Sequence, residues 1–448
     1  MNKLAETGLS VQDRIWILAI AIANIAIHLV FINNYGIFRD ELYYLACADR
    51  LAWGYVDQPP LVALIARAVT STLGDSLWAV RLPAVLAGTA TVYLSGWLAL
   101  RLGAGRIGAM IAAIATMLGP FDLFIFHIYS MNAFEALFWT ILIYIFIKII
   151  HTKRETLWLW FGGMLGIALM NKYSAGFLAF FLLAGMLFTP MRRQFLRPKF
   201  WLGMLIALAI FTPHIIWQIN NDFPTLEFMA NARARKMAAF GPLEYFVQQA
   251  LMAGPLAYLL VLGGTIYFII SKKLREYLPI PLAYILLLGF FIITGGKPYY
   301  IAPVFPAMFA LGGRWIQDIF IKYHLPKLRY AALALALAAG VITAPMTLPV
   351  LPPEQFVAYQ KSLGLRAESG EKNALGELPQ TFADMFGWRE MARKVSDIYM
   401  TIDPELRSKT IVAARNYGEA GAMEYFAREY PLPPPASTHN NYWIWGLP

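Results

Sequence analysis

The chain has 448 residues, 59% of them hydrophobic and only 14% charged, with 37 Lys and Arg against 27 Asp and Glu. A soluble domain carries ~25% charged residues, so this composition excludes an ordinary globular protein and indicates a polytopic membrane protein, with a mean hydropathy of +0.54. The net charge of +10 would suit a nucleic-acid binder, but in a membrane protein basic residues belong first to cytoplasmic loops, so nucleic acid is not an expected partner.

Apolar windows of bilayer-crossing length, about 17 to 25 residues with a few shorter, fall at 15–32, 77–100, 107–121, 133–150, 157–171, 174–189, 200–218, 251–270, 278–294, 299–316 and 330–350. They predict about eleven transmembrane helices, although 157–171 and 174–189 are joined only by "NKYS" and could be miscounted. The first window lacks an A-x-A site and exceeds a signal-peptide core, so it reads as a retained anchor. With the N-terminus in the cytoplasm, the inside loops hold about twice the Lys and Arg of the longer outside loops, as the positive-inside rule requires. An odd helix count then puts the C-terminus outside.

Residues 33–76 form the first outer loop in this topology. Pro59-Pro60 can open a helix in which Leu61, Leu64, Ile65, Ala68 and Val69 recur at helical spacing. Before it, Leu42, Leu45 and Ala46, with Tyr43, Tyr44, Trp53 and Tyr55, predict a second, aromatic-rich interfacial helix. An acid pair, Asp40 and Glu41, opens that helix. Two readings stay open: Asp40 is an N-cap favoured by the helix dipole, or it is an acid at the membrane surface that takes a proton from a bound hydroxyl.

Basic residues at other outward helix ends run against the charge rule: Lys172 in "LMNKYSAG", Lys297 in "TGGKPYYIAPVFP", and Arg233, Arg235 and Lys236 between Asn220 and Gln248. Each could be a snorkelling or solvated side chain. Together with the acid pair they describe a cavity for an anion and a proton acceptor, the needs of group transfer away from a phosphate.

Residues 1–350 read as the transmembrane domain, and 351–448 as a small soluble α/β domain. The second opens at the Pro-rich "LPVLPPEQF" and continues with a helical "GWREMARKVSDIYMTI", a strand "KTIVAA" and a helix "GEAGAMEYFAREY". "NNYWIWG" is expected as a further strand; the chain stops directly after it, so this domain is expected to be incomplete at its C-terminus.

The stretches "FRDELYYLACADRLAWGYVDQPPL", "SMNAFEALFW", "ALMNKYSAG" and "GKPYYIAPVFPAMFALGG" together resemble the bacterial branch of the dolichyl-phosphate-mannose protein mannosyltransferase family. That family belongs to the GT-C superfamily, which includes the lipid A aminoarabinose transferase. The resemblance extends into the tail through "LPQTFADMFGW", "RNYGEAGA" and "HNNYWIWG". It implies a multi-pass enzyme of the bacterial inner membrane, a hexosyl- or pentosyltransferase. Its donor would be a polyprenyl-phosphate sugar, and its acceptor a lipid, glycan or protein on the outer face.

By position, the resemblance makes Asp40 the general base or acceptor-positioning carboxylate and Glu41 a second acid that orients it. Lys172 and Lys297 would hold the lipid phosphate, with Arg233 and Arg235 next in line, and Tyr299 and Tyr300 would line the pocket. Asn132 stands where relatives usually carry an acid, which leaves Glu135 as a candidate second carboxylate. Asp57 and Gln58 replace the Glu-Lys of the aminoarabinose branch and argue against that specificity. The resemblance implies that no nucleotide sugar is needed. A divalent metal is compatible with the superfamily, but the single cysteine, Cys47, and the sequence's scattered histidines, such as His127 and His214, supply no ligand cluster. The alternatives are a transporter or lipid-linked sugar flippase, and a glycan-binding subunit without catalysis.

Overall fold

In the computed structural model the described residues are 11–235, 240–365 and 376–448, the side chains of 233–235 excepted. In chain order the helices are α1 (Val11–Phe31), α2 (Arg39–Asp49), α3 (Leu61–Leu73), α4 (Leu77–Arg101), α5 (Gly105–Leu118), α6 (Pro120–Ile125), α7 (Met131–Thr152), α8 (Leu157–Asn171) and α9 (Ser174–Met186). They continue with α10 (Pro198–Asn220), α11 (Pro224–Arg235), α12 (Pro242–Ala253), α13 (Pro255–Ile270), α14 (Pro279–Thr294), α15 (Phe305–Lys322) and α16 (Leu328–Thr343). The C-terminal segment holds α17 (Pro353–Ser362), α18 (Gln380–Ala383), α19 (Trp388–Met400), α20 (Pro404–Arg407), β1 (Val412–Ala413), α21 (Tyr417–Phe426), β2 (Pro435–Ala436) and α22 (Asn441–Trp445).

Each of the eleven apolar windows corresponds to a helix. Five helices, α1, α4, α7, α10 and the Leu328–Met346 stretch, are long and apolar enough to cross a membrane, or up to seven if two bent pairs each count as one span. The remaining windows form shorter helices or, for 299–316, the more polar α15. The 251–270 window contains a sharp break. α12 and α13 meet at 110° on Gly254, whose φ of 87° only glycine adopts readily, and Pro255 then opens α13. The "NKYS" stretch separates two distinct helices, α8 and α9.

Lipid tails offer helices no hydrophobic drive to associate, so small residues that let backbones touch decide the packing. A Cβ on Gly162 would land on the Gly203 carbonyl of α10, and one on Gly108 would land on the Gly313 carbonyl of α15. Around these contacts a continuous core runs through Trp139, Phe146, Trp158, Phe161 and Phe309.

Residues 33–76 fold into the two expected helices, α2 and α3, between α1 and α4. The C-terminal segment differs from its expectation. "NNYWIWG" forms the short helix α22 rather than a strand, and the only ladder among the described residues pairs Val412 with Pro435 and Ala413 with Ala436 in parallel. Two residues per strand give this segment a largely helical character. Its apolar side chains find their burial on the first loop: Ala392, Ala420, Ala422, Met423, Phe426 and Tyr442 share one core with Leu42, Leu45, Val62 and Ala66.

Candidate active site at the outer-loop end of the bundle

The acid pair divides at once. α2 is capped by Phe38, with no side-chain cap, so Asp40 lies one residue inside the helix and is not its N-cap. Glu41, at the third helical position, reaches back to accept from the Phe38 amide at 2.7 Å. It is fully buried and salt-bridged by Arg81, whose Nε and Nη2 donate to Oε1 and Oε2 at 2.8 and 2.9 Å. The Tyr129 amide donates to Oε1 as well, at 2.8 Å. Arg81 also donates to the carbonyls of Ile32 and Gly36. The catalytic place given to Glu41 is therefore corrected. A carboxylate with both oxygens doubly bonded and no exposure cannot meet a substrate, and Glu41 fixes α2 against α1, α4 and the start of α7.

Asp40 keeps a third of its side chain exposed (32%). Its Oδ1 accepts from the Tyr417 hydroxyl at 2.6 Å and lies 3.6 Å from the Arg39 Nε. Around it, burial pushes the Tyr44 hydroxyl well above its ordinary range, and Asp40, Asp57, Tyr417 and Tyr299 reinforce the shift. These residues share one small region.

Asp57 accepts from the Tyr43 hydroxyl at 2.8 Å and from Asn440 Nδ2 at 3.0 Å. Gln58 does not line an opening. It is fully buried, with its amide nitrogen 3.9 Å from Cys47 Sγ and its side-chain oxygen without a hydrogen-bond partner among the described residues.

The second half of the site is built where α7, α8 and α9 meet. Lys172 ends α8 in an extended conformation, and its ammonium donates to Asn132 Oδ1 at 2.8 Å and to Glu135 Oε2 at 2.6 Å. Glu135 is buried and also accepts from Ser174. The Lys172 Nζ lies 5.4 and 5.7 Å from the ring centres of Tyr299 and Tyr300, within cation–π range. Asn132, Glu135, Lys172, Tyr299 and Tyr300 thus form one cluster.

Glu135 is the counter-ion of Lys172 here, not an open second carboxylate. Two of the three ammonium protons are engaged, which leaves one for a ligand. Lys297 sits half-buried at the head of the turn carrying both tyrosines, a turn tied to α12 by Tyr245 and Gln249 through the carbonyls of Lys297 and Pro298. Burial, then Tyr300, Glu135 and Asp40, raise the Tyr299 hydroxyl well above its ordinary range, so Tyr299 stands within electrostatic reach of both halves.

The side chains of Arg233 and Arg235, at the end of α11, lie outside the described residues, as does Lys236. His214 is a network residue. It shares hydrogen bonds with Tyr173 at 2.6 Å and the Trp53 carbonyl at 2.9 Å, tying α10 to the first loop. Among the described residues no three His, Cys, Asp or Glu side chains gather as metal ligands do.

Two residues escaped sequence reasoning. Arg81 had a signal, an arginine inside the apolar run "WAVRLPAV", where a charge demands a partner. Tyr417 lies in the quoted "RNYGEAGA", but nothing local pairs it with Asp40, 377 residues away in the chain.

Residues 57–217 match the dolichyl-phosphate-mannose-protein mannosyltransferase family. No curated protein is significantly similar in sequence. Among solved structures, the fold is similar to that of ArnT from Cupriavidus metallidurans bound to undecaprenyl phosphate, with a TM-score of 0.63 and 16% identity over 94% of this chain and 89% of that one. The apo state of the same protein gives 0.60 and 16% identity over 94% and 85%. The resemblance read from the motifs is therefore supported at two levels, by sequence similarity to the mannosyltransferase family over residues 57–217 and by a fold similar to that of ArnT across nearly the whole chain.

Proposed function

We propose that this protein is a membrane glycosyltransferase that moves one sugar from a polyprenyl-phosphate carrier to an acceptor hydroxyl on the outer face of the membrane. The observation that carries the reading is an accessible carboxylate, Asp40, within electrostatic reach of Tyr299, whose ring centre lies 5.4 Å from the ammonium of the half-buried Lys172. That ArnT was solved with undecaprenyl phosphate supports a donor of the same lipid class.

In the proposed reaction Asp40 takes the proton of the acceptor hydroxyl as its oxygen attacks the anomeric carbon. The bond from that carbon to the phosphate oxygen breaks, and the electron pair leaves with the polyprenyl phosphate. A single displacement inverts the anomeric centre. General-base help of this kind contributes about 10²- to 10⁴-fold. Lys172, with Lys297 and the α11 arginines, meets the charge growing on the phosphate, and Tyr299 and Tyr300 wall the pocket. No step is routed through a metal.

The topology belongs to the same proposal: the N-terminus lies in the cytoplasm, eleven helices cross, and residues 351–448 face outward, packed on the first loop. Reporter fusions after Ser271 and after Pro448 reading the same side would refute it.

The test of function is sugar transfer in proteoliposomes from a defined polyprenyl-phosphate sugar. Released polyprenyl phosphate and a glycosylated acceptor are expected. Movement of intact lipid across the bilayer, with sugar never parted from phosphate, would establish the flippase instead.

A further inference from the structure

We infer that Tyr417, carried by the C-terminal segment, is a positioning residue for Asp40, so that the active site is completed by two parts of the chain. This rests on the proposed role of Asp40 as general base. The local geometry is built for the contact. Asn416 caps α21 by accepting from the amides of Gly418 and Glu419 at 2.9 and 3.0 Å, which sets Tyr417 as the first residue of the helix. Gly418 and Gly421 then face α2. A Cβ at the first would collide with the Arg39 side chain, and one at the second would press on Leu42. Two missing side chains let the helices touch, and the Tyr417 hydroxyl spans the remaining gap.

The ring is held on several sides. His439 stacks on it at 5.2 Å with 13° between planes, the Arg39 guanidinium lies 5.4 Å from its centre, and Tyr43 packs at 5.1 Å. Arg39 is itself fixed to Asp384, by its amide to the backbone carbonyl at 3.1 Å and by Nη1 to the carboxylate at 3.3 Å. Burial, then the charge of Asp40, keep the Tyr417 hydroxyl well above its ordinary range, so it stays protonated and donates. Both the tyrosine and the Arg39 contact fall on Oδ1. Oδ2 is left without a hydrogen bond among the described residues, and it is the oxygen that accepts the substrate proton. The tyrosine selects which oxygen works and holds its orientation.

The experiment compares Tyr417→Phe, Asp40→Asn and the double variant of the full chain in proteoliposomes with a defined polyprenyl-phosphate sugar. Phenylalanine keeps the ring contacts and removes only the hydroxyl. A charge-assisted hydrogen bond of this kind corresponds to roughly a tenfold or greater fall in kcat, with donor KM changed by less than about twofold. In the Asp40→Asn background the same change should cost nothing further, because a positioning residue has nothing left to position. Gly418→Ala retains the hydroxyl but pushes α21 from α2, and is expected to lower kcat in the same Asp40-dependent way.

A Tyr417→Phe variant turning over as fast as the parent, or losses that simply multiply in the double variant, would overturn the inference. Should Tyr417→Phe fold poorly, Gly418→Ala decides alone by the same cycle. If Asp40→Asn remains fully active, the general-base reading fails and this one with it. If Asp40→Asn is inactive while Tyr417→Phe is not impaired, only the positioning role is lost.

Discussion

The two faces of α2 carry adjacent acids with opposite fates. Toward the bundle, Glu41 is fully buried and every oxygen bond is met by Arg81 or a backbone amide. Toward the C-terminal segment, Asp40 is partly open and has one hydrogen bond, from a tyrosine hydroxyl. Neighbours in sequence point about 100° apart on a helix, so one turn can hold a structural ion pair and a reactive group side by side. The lesson is that chemistry needs an unspent oxygen: Glu41 has none left, whereas Asp40 keeps the one on which the proposed base role depends.

Arg81→Leu is expected to have the largest effect. It strips a buried carboxylate of its partner, a loss of about 3 to 5 kcal/mol, and should abolish accumulation of folded protein, read by size-exclusion profile and thermal melting. Asp40→Asn should instead melt like the parent while kcat falls at least about 10²-fold. Equal destabilisation by the two variants would erase the distinction between the faces.

Next in size is Lys172→Ala. A hydrogen bond to a charged phosphate is worth roughly 1.5 to 3 kcal/mol, so donor KM should rise about tenfold or more without a change in which acceptor is modified. The liberated Glu135 adds its own repulsion toward the donor, and Lys172→Ala with Glu135→Gln should recover part of the loss. If neither Lys172→Ala nor Lys297→Ala affects donor consumption, the phosphate is held elsewhere.

The smallest effect is expected at the far end of the outer face. Arg50 grips Glu424 at 3.0 and 2.7 Å and covers Trp445 at 4.6 Å, but it is 43% exposed. Solvent screening limits such a pair to about 1 kcal/mol or less. Arg50→Ala should lower the melting midpoint slightly and leave turnover unchanged; a large loss of activity would mean that docking of the C-terminal segment depends on this one contact.

The apolar windows and the two loop helices were legible from local pattern, and family motif singled out Asn132, Glu135, Lys172, Tyr299 and Tyr300, whose meeting in one cluster is a tertiary fact. Hydropathy and helical spacing are properties of consecutive residues, so they survive any fold that places the segment in a membrane or at its surface. The break at Gly254 was less legible, since a glycine and a proline mark a turn but not its 110° angle. "NNYWIWG" misled because aromatic and β-branched residues favour strands, whereas here burial of Tyr442 against the first loop holds the backbone in a helical turn.

By itself the sequence determined that this chain is a membrane protein built from apolar helices, with an acid pair in the loop after its first helix. Only the tertiary structure decided which acid is spent and which is available. That choice depends on Arg81, 40 residues away, and on Tyr417, 377 residues away, brought together by close helix contacts that no local pattern encodes. A carboxylate's chemistry is set by what surrounds it in space, and here those surroundings come from both ends of the chain.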